Sequence, residues 1–357
     1  MAYPTLNINE LVPQLNNMII SINVYGDPFA GSNDKLLNMF KVDGGRFGDT
    51  KLFTDTDVLF TTPWAGGDGR SINEEMNLLE ATEPPAPNVQ AIVLNKFRKI
   101  MLTTGPDVLL ERAFMDEGQF GAYMSAQLAW IERTKTLYMT RLVNTFVGHE
   151  VSEVGKQLQE IDAATATDAK ELARYIADLV VDLGFESRDY TDNGFMKSFA
   201  PENLVAIWNP KYYNKIKYVD LPVIFHDDSL LDAYHKLETI LLQPQFFGDV
   251  NKSGGSTPAT NTKIRALVEK DYGAKHCFPG DLLPNSTSYL ANETYTESED
   301  YICKITTRDA IPVMSSFAIS TEFWNSRSLR TNHYNIWSYN DLVRLVAKPF
   351  ITLKKGS

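Results

Sequence analysis

Chemistry in this chain would have to start from a few polar clusters. His226-Asp227-Asp228 sets one imidazole beside two carboxylates, a donor set that suits a divalent cation. Adjacent residues rarely converge on one ion, however. With Ser229 following, the two aspartates read better as caps of a helix over 230–242, with His235 a surface or packing residue inside it. Asp55-Thr56-Asp57 offers two carboxylates of the kind used in nucleotidyl transfer, but strand alternation and the lack of a third acid nearby make it a solvated face. The GGRFG stretch at 44–48 lacks GxGxxG order and a strand-to-helix setting, no GxxxxGK[ST] occurs, and a Gly-rich turn is the better reading. Serine, histidine and aspartate occur without a GxSxG elbow, and the histidines show no HExxH spacing. Cys277 and Cys303 form no CxxC pair, with only His276 as a neighbouring ligand, so both read as reduced, buried thiols. No catalytic, cofactor-binding or metal residue is assigned, no cofactor is expected, and the chain is not expected to be an enzyme.

The elements that would position any site belong to a large folded chain. At 357 residues, 43% hydrophobic and 22% charged, it exceeds one typical core, so two or more lobes on a connected framework are expected. The net charge of -11 opposes tight wrapping of nucleic acid, which needs clustered Lys and Arg, and leaves room only for weak contact. Residues 1–10 lack a cationic segment followed by an apolar run, and no apolar stretch reaches about 18 residues, so neither secretion nor a membrane anchor is expected. The sequons at Asn251, Asn285 and Asn292 then count as chance matches.

Residues 1–43 mix short apolar pieces with Asn, Pro and Gly and read as an arm that needs another surface to bury them. Glycine and proline punctuate 44–87 as a long loop, whose run KLFTDTDVLFTT at 51–62 reads as a two-stranded extension; such a hairpin is marginal alone. Alternation predicts a strand over 89–102, and Pro106 opens a short helix over 107–114. The clearest period follows. Phe120, Met124, Leu128, Ile131, Tyr138, Leu142 and Phe146 recur mostly at three- and four-residue steps and predict a helix over 119–147, stopped by Gly148. Trp130 and Leu137 fall off that stripe, so a second face is expected to be covered. A capped helix over 168–183, ended by Gly184, a buried strand over 203–208 and a helix from Lys211 imply an α/β lobe. Irregular stretches are expected over 252–262 and 279–298, and strands over 301–305, 310–319 and within 332–353.

In that order the elements resemble the Johnson (Hong Kong 97-type) fold of tailed-bacteriophage major capsid proteins. The runs PNVQAIVLNKFRKIMLTT and GQFGAYMSAQLAWIERTKTLYMTRLVN look like the strand and spine helix of small picovirus-type podoviral capsid proteins. NLVAIWNPKYYNKI resembles the strand-then-helix unit of their axial domain, and SLRTNHYNIWSYNDLVRLVAKPFITL their closing strand.

The resemblance implies an α+β fold with an N-terminal arm (1–43), an E-loop (44–87), a peripheral P-domain with its spine helix (88–150, helix 119–147), an axial A-domain (151–319) and a return to the P-domain (320–357). It implies a shell subunit that self-assembles into pentamers and hexamers around phage dsDNA, built in the bacterial cytoplasm with separate scaffolding and a portal, and located in the virion. On that reading Arg46, Phe47, Phe53, Phe60 and Trp64 of the loop contact an adjacent P-domain. Some relatives crosslink a loop lysine to another subunit, but nothing marks Lys51 for this. An encapsulin-like compartment on the same fold, a hydrolase and a carbohydrate-binding protein stay open as alternatives.

Overall fold

The computed structural model describes residues 34–59, 85–103, 117–216, 237–252, 293–297, 300–315, 318–328 and 330–356. The described elements begin with α1 (Lys35–Phe40), β1 (Lys41–Asp43), β2 (Thr50–Asp55), β3 (Asn88–Val93), β4 (Lys96–Thr103) and the long helix α2 (Glu117–His149). They continue with β5 (Leu158–Ile161), α3 (Ala163–Thr167), α4 (Ala169–Gly184), β6 (Leu204–Trp208), α5 (Pro210–Lys215), β7 (Glu238–Leu241) and β8 (Gly248–Lys252). The last are β9 (Glu293–Glu297), β10 (Tyr301–Thr307), β11 (Val313–Ser315), β12 (Ala318–Asn325), β13 (Arg330–Tyr339) and β14 (Phe350–Lys355).

Helix α2 runs 33 residues, about 50 Å at 1.5 Å each. Its C-terminal half is covered on more than one side, although Trp130, off the main stripe, stays 45% exposed. Tyr138, Met139, Leu142, Val143, Phe146 and Val147 are buried in one cluster with Trp337 and Tyr339 on one side and Val205, Ile207 and Phe350 on the other. Two sheets therefore sandwich it. The three-stranded antiparallel sheet β12-β13-β4 supplies the first contact, with Tyr138 edge-on to Trp337 at 5.8 Å and Arg98 5.3 Å from the Tyr138 ring centre. The five-stranded mixed sheet β5-β14-β10-β6-β7 supplies the second. Helix α4 closes the far side of that sheet. Leu172, Ile176, Leu179, Val180 and Leu183 recur at helical spacing and bury against Ala206, Trp208, Ile305 and Ile351. Asp168 caps α4 by accepting from the Lys170 N–H at 2.9 Å, and Asn209 caps α5 by accepting from the Lys211 N–H at 3.2 Å.

Central strand β10 is buried at every position and carries a lysine there. Lys304, wholly buried, donates through Nζ to the carbonyls of Val147, Gly148 and Glu150 at 2.9, 2.8 and 2.7 Å. These carbonyls belong to the end of α2, where a helix leaves acceptors unpaired and its dipole favours a cation. The ammonium also lies between the Tyr301 and Phe350 rings, at 5.5 and 5.6 Å.

Several expected boundaries move, each because tertiary pairing divides a local run. The strand expected over 89–102 is two strands: β3 pairs β2, β4 pairs β13, and the break sits at Leu94, whose backbone bonds Gly48 and Asp49 at 2.9 and 3.1 Å. The run at 51–62 stays in a strand only to Asp55, and its partner is β3 rather than its own second half. The single strand expected over 310–319 is split into β11 and β12. The Asn340 side chain accepts from the Met314 N–H (2.7 Å) and donates to the Pro312 carbonyl (2.9 Å), fixing the turn before β11. The closing region divides into β13 and β14, which join different sheets.

The end of the helix expected over 230–242 is strand β7 instead, because its backbone completes the edge of the five-stranded sheet beside β6. Within the stretch expected to be irregular, β9 pairs with β8. Gly148 does not stop α2 by left-handed geometry. It lies inside the helix, and a Cβ there would meet the Phe246 carbonyl oxygen at 2.0 Å, so the glycine serves close packing. The helix expected over 107–114, residues 230–236, His226, Asp227, Asp228, His235 and Cys277 lie outside the described residues.

Replacing the buried ammonium tests the role of β10. Lys304→Met keeps the stem and removes the three donors, leaving helix-end carbonyls unpaired. Urea unfolding of the purified chain is expected to show a loss of about 3 kcal/mol or more.

Candidate functional site

The loop expected over 44–87 leaves and rejoins the body through the β2–β3 pair, where Leu52 faces Ala91 and Thr54 faces Val89. Strand alternation gives the pair two unlike faces. Ile92 is buried with Leu94, Met314 and Leu345, and Phe53 packs half-buried against that cluster. Leu52 and Val89 lie on the opposite face, 61% and 50% exposed.

Two carboxylates fix this root to the residues after α4. Asp55 accepts from Asn193 Nδ2 at 2.8 Å and pairs with Lys197. Asp57 accepts from Arg188 Nη1 at 2.6 Å and from the Met196 N–H at 3.0 Å. Their receiver is a small hairpin closed by reciprocal Ser187–Lys197 backbone bonds of 2.9 and 3.0 Å. The Met196 N–H, helped by Arg188 and against the effect of desolvation, holds the Asp57 carboxyl below the usual carboxylate range. Sequence alternation read these aspartates as a solvated face; the structure makes them a latch.

The GGRFGD turn is pinned beside them. Asp49 Oδ2 accepts from the Arg46 N–H at 2.7 Å, and Gly48, at φ +91°, donates to the Leu94 carbonyl at 2.9 Å. Arg46 and Phe47 are left exposed, with Phe47 edge-on to Phe97 at 6.2 Å. Of the five loop residues named from sequence, Phe47 thus sits on the surface and Phe53 within its own chain's packing, while Phe60 and Trp64 lie outside the described residues. Leu52 and Val89 escaped notice because aromatic content alone does not specify parity; register does.

Behind the root lies a buried polar junction that sequence reading also missed. Arg344 pairs with Asp192 and reaches Glu150 Oε1 and Gln157 Oε1, both at 3.4 Å. Ser152 and Gln157 each donate to Asp192 Oδ1 at 2.7 Å, and Gln90 of β3 donates to the Arg344 carbonyl at 2.8 Å while accepting from the Val346 N–H at 3.1 Å. The end of α2, the chain's closing segment and the loop root meet there. The available signal was polar residues inside otherwise apolar runs, such as Gln90 in NVQAIV and Arg344 in DLVRLV.

A cleft of about 870 Å³ opens between the root and the β10–β11 turn, but its cations are matched: Lys197 by Asp55, Arg308 by Glu238 at 2.9 Å, Lys348 by Asp309 at 2.6 Å. Burial pushes the Cys303 thiol far up, away from the reactive thiolate. Among the described residues no group of three His, Cys, Asp or Glu could hold a metal, and no helix is long and apolar enough to cross a membrane. The features that stand out are attachment and exposure: a loop root fixed at its base, with apolar side chains turned outward.

The latch predicts its own pH dependence. Because the folded-state Asp57 carboxyl titrates below its unfolded value, its contribution is present above about pH 4 and is lost as pH falls further. The double variant Asp55→Asn/Asp57→Asn is expected to be cut within 44–87 several-fold faster than the parent in limited proteolysis at neutral pH. The parent should approach that rate only in acid.

Comparison with known proteins follows the same lines. The profile of the Phi29-like phage major capsid protein family matches residues 3–340. No curated protein matches the sequence. Among solved structures, the capsid structure of Staphylococcus phage Andhra superposes with a TM-score of 0.63 at 10% identity, covering 90% of this chain and 84% of that one. A chain in the structure of the head fiber and inner core protein gp22 of native bacteriophage P68 superposes with a TM-score of 0.61 at 11% identity, covering 89% and 84%. At such identities the likeness is one of fold, in the first case the fold of a phage capsid. With a matched profile spanning nearly the whole chain, the chain belongs to the Phi29-like phage major capsid protein family, as a structural subunit of the virion shell.

Proposed function

We propose that copies of this subunit join into pentamers and hexamers through the 44–87 loop, with Arg46, Phe47, Phe60 and Trp64 contacting an adjacent copy and Phe53 bracing the loop from within. In this reading 1–43 is an arm, 88–150 with 320–357 a peripheral domain around α2, and 151–319 an axial domain. The observation that carries the proposal is the two-faced root: latched by Asp55 and Asp57 on one side, it turns Leu52 and Val89 outward. Apolar side chains held out on a fixed stem suit a neighbour's surface better than solvent.

The rest of the assembly reading follows from a phage shell. Scaffolding and a portal act during assembly in the bacterial cytoplasm of a podovirus-type phage, the subunit performs no catalysis, and packaged dsDNA touches it weakly. A net charge of -11 favours such weak, non-specific contact. Negative-stain microscopy of the expressed chain is expected to show closed shells, sheets or tubes. A variant with residues 56–87 replaced by a short Gly-Ser link should fold yet remain as discrete small particles; closed shells from it would overturn the role given to the loop.

A further inference from the structure

The peripheral three-stranded sheet ends in an edge that nothing in its sequence blunts. Strand β12 is eight residues long, is terminal in the order β12-β13-β4, and pairs with β13 at all positions from Ala318 to Asn325 without a bulge. Among the described residues no strand takes its outer edge. Protected edges carry Lys, Pro, a bulge or a short strand. AISTEFWN has none of these, and its single charge, Glu322, lies 3.2 Å from His333 Nδ1 on the neighbouring strand. Ile319 and Phe323 are 49% and 62% exposed, on the face that also exposes Phe97 and Met101. Trp324, on the other face, is exposed too.

An unpaired row of backbone donors and acceptors is completed by another strand, and β12 is complementary to itself. A two-fold axis perpendicular to the sheet keeps each face in place, so an antiparallel self-pair must be centred on one residue. Centring on Thr321 sets Ile319 opposite Phe323 of the partner subunit, an aromatic with a β-branched residue, and Thr321 opposite Thr321 of the partner subunit. It also sets each Glu322 against a serine. Centring on Glu322 would oppose two carboxylates and separate the apolar pair. A different protein would need no such palindrome in β12.

We propose that β12 pairs antiparallel, in the Thr321-centred register, with β12 of a second copy, joining two peripheral sheets into one across a two-fold axis. The proposal rests on the shell-subunit reading for its supply of neighbouring copies. It differs from the proposed loop contact, which lies on other residues.

Cysteine pairing in assembled material tests it. In a Cys277→Ser background, Thr321→Cys places two sulfurs on strands whose directly opposed Cα atoms lie about 4.5–5.5 Å apart, within disulfide reach. Trp324→Cys places them about 20 Å apart in that register. After mild oxidation, most of the Thr321→Cys chain is expected to run as a dimer on non-reducing gels and the Trp324→Cys chain as a monomer. Monomeric Thr321→Cys in well-formed particles, or equal crosslinking at both positions, would overturn the pairing and leave the shell reading standing. Dimers without particles would keep the pairing and overturn the shell; neither dimers nor particles would overturn both. Ile319→Lys/Phe323→Lys, which alters only exposed side chains, should leave thermal unfolding unchanged and stop particle formation, and normal particles from it would also overturn the pairing.

Discussion

One buried ammonium ties the architecture together. A helix of 33 residues ends in carbonyls that need donors, and in this chain it ends inside the protein, where water cannot supply them. Lys304 reaches them from the middle of β10, so the central strand of the five-stranded sheet and the end of α2 are joined by three hydrogen bonds and a charge–dipole contact. A buried cation is costly, and this one is tolerable because its donors reach three carbonyls and two aromatic rings lie beside it. The geometry sets the position of α2 along the sheet. That in turn sets where the three-stranded sheet lies relative to the rest.

Polar contacts recur where segments distant in sequence meet. Arg344, Asp192 and Gln157 join the chain's end to the segment after α2, and Gln90 extends the junction to the loop root. Asp55 and Asp57 fasten the other side of that root. Such contacts are directional, unlike apolar packing, so they specify one orientation of the loop root.

The order of elements and their type were largely legible. Three- and four-residue steps announced α2, the cap at 168 marked the start of α4, the helix expected from Lys211 is α5 begun one residue earlier, and NLVAIW was a buried strand before any partner was known. What escaped was partnership. Residues 89–102 look like one strand because β3 and β4 follow each other with only Leu94 and Asn95 between, yet they serve different sheets. The segment around 238–241 carries the apolar spacing of a helix, and only the free edge of β6 makes it a strand. A short strand is decided by its neighbours more than by its own side chains.

The sequence by itself determined a long apolar period, a Gly- and Pro-punctuated loop and an α/β lobe, an order of elements that resembles that of phage capsid subunits. Those properties reside in composition and local spacing, which the chain carries before it folds. Only the tertiary structure decided which polar residues matter. Lys304, Arg344 and the Asp55–Asp57 latch lie 131 to 157 residues from the groups they hold or, for Arg344, up to 194. No local pattern encodes a contact of that span, because hydrogen bonds require positions that exist only once sheets and helix have packed.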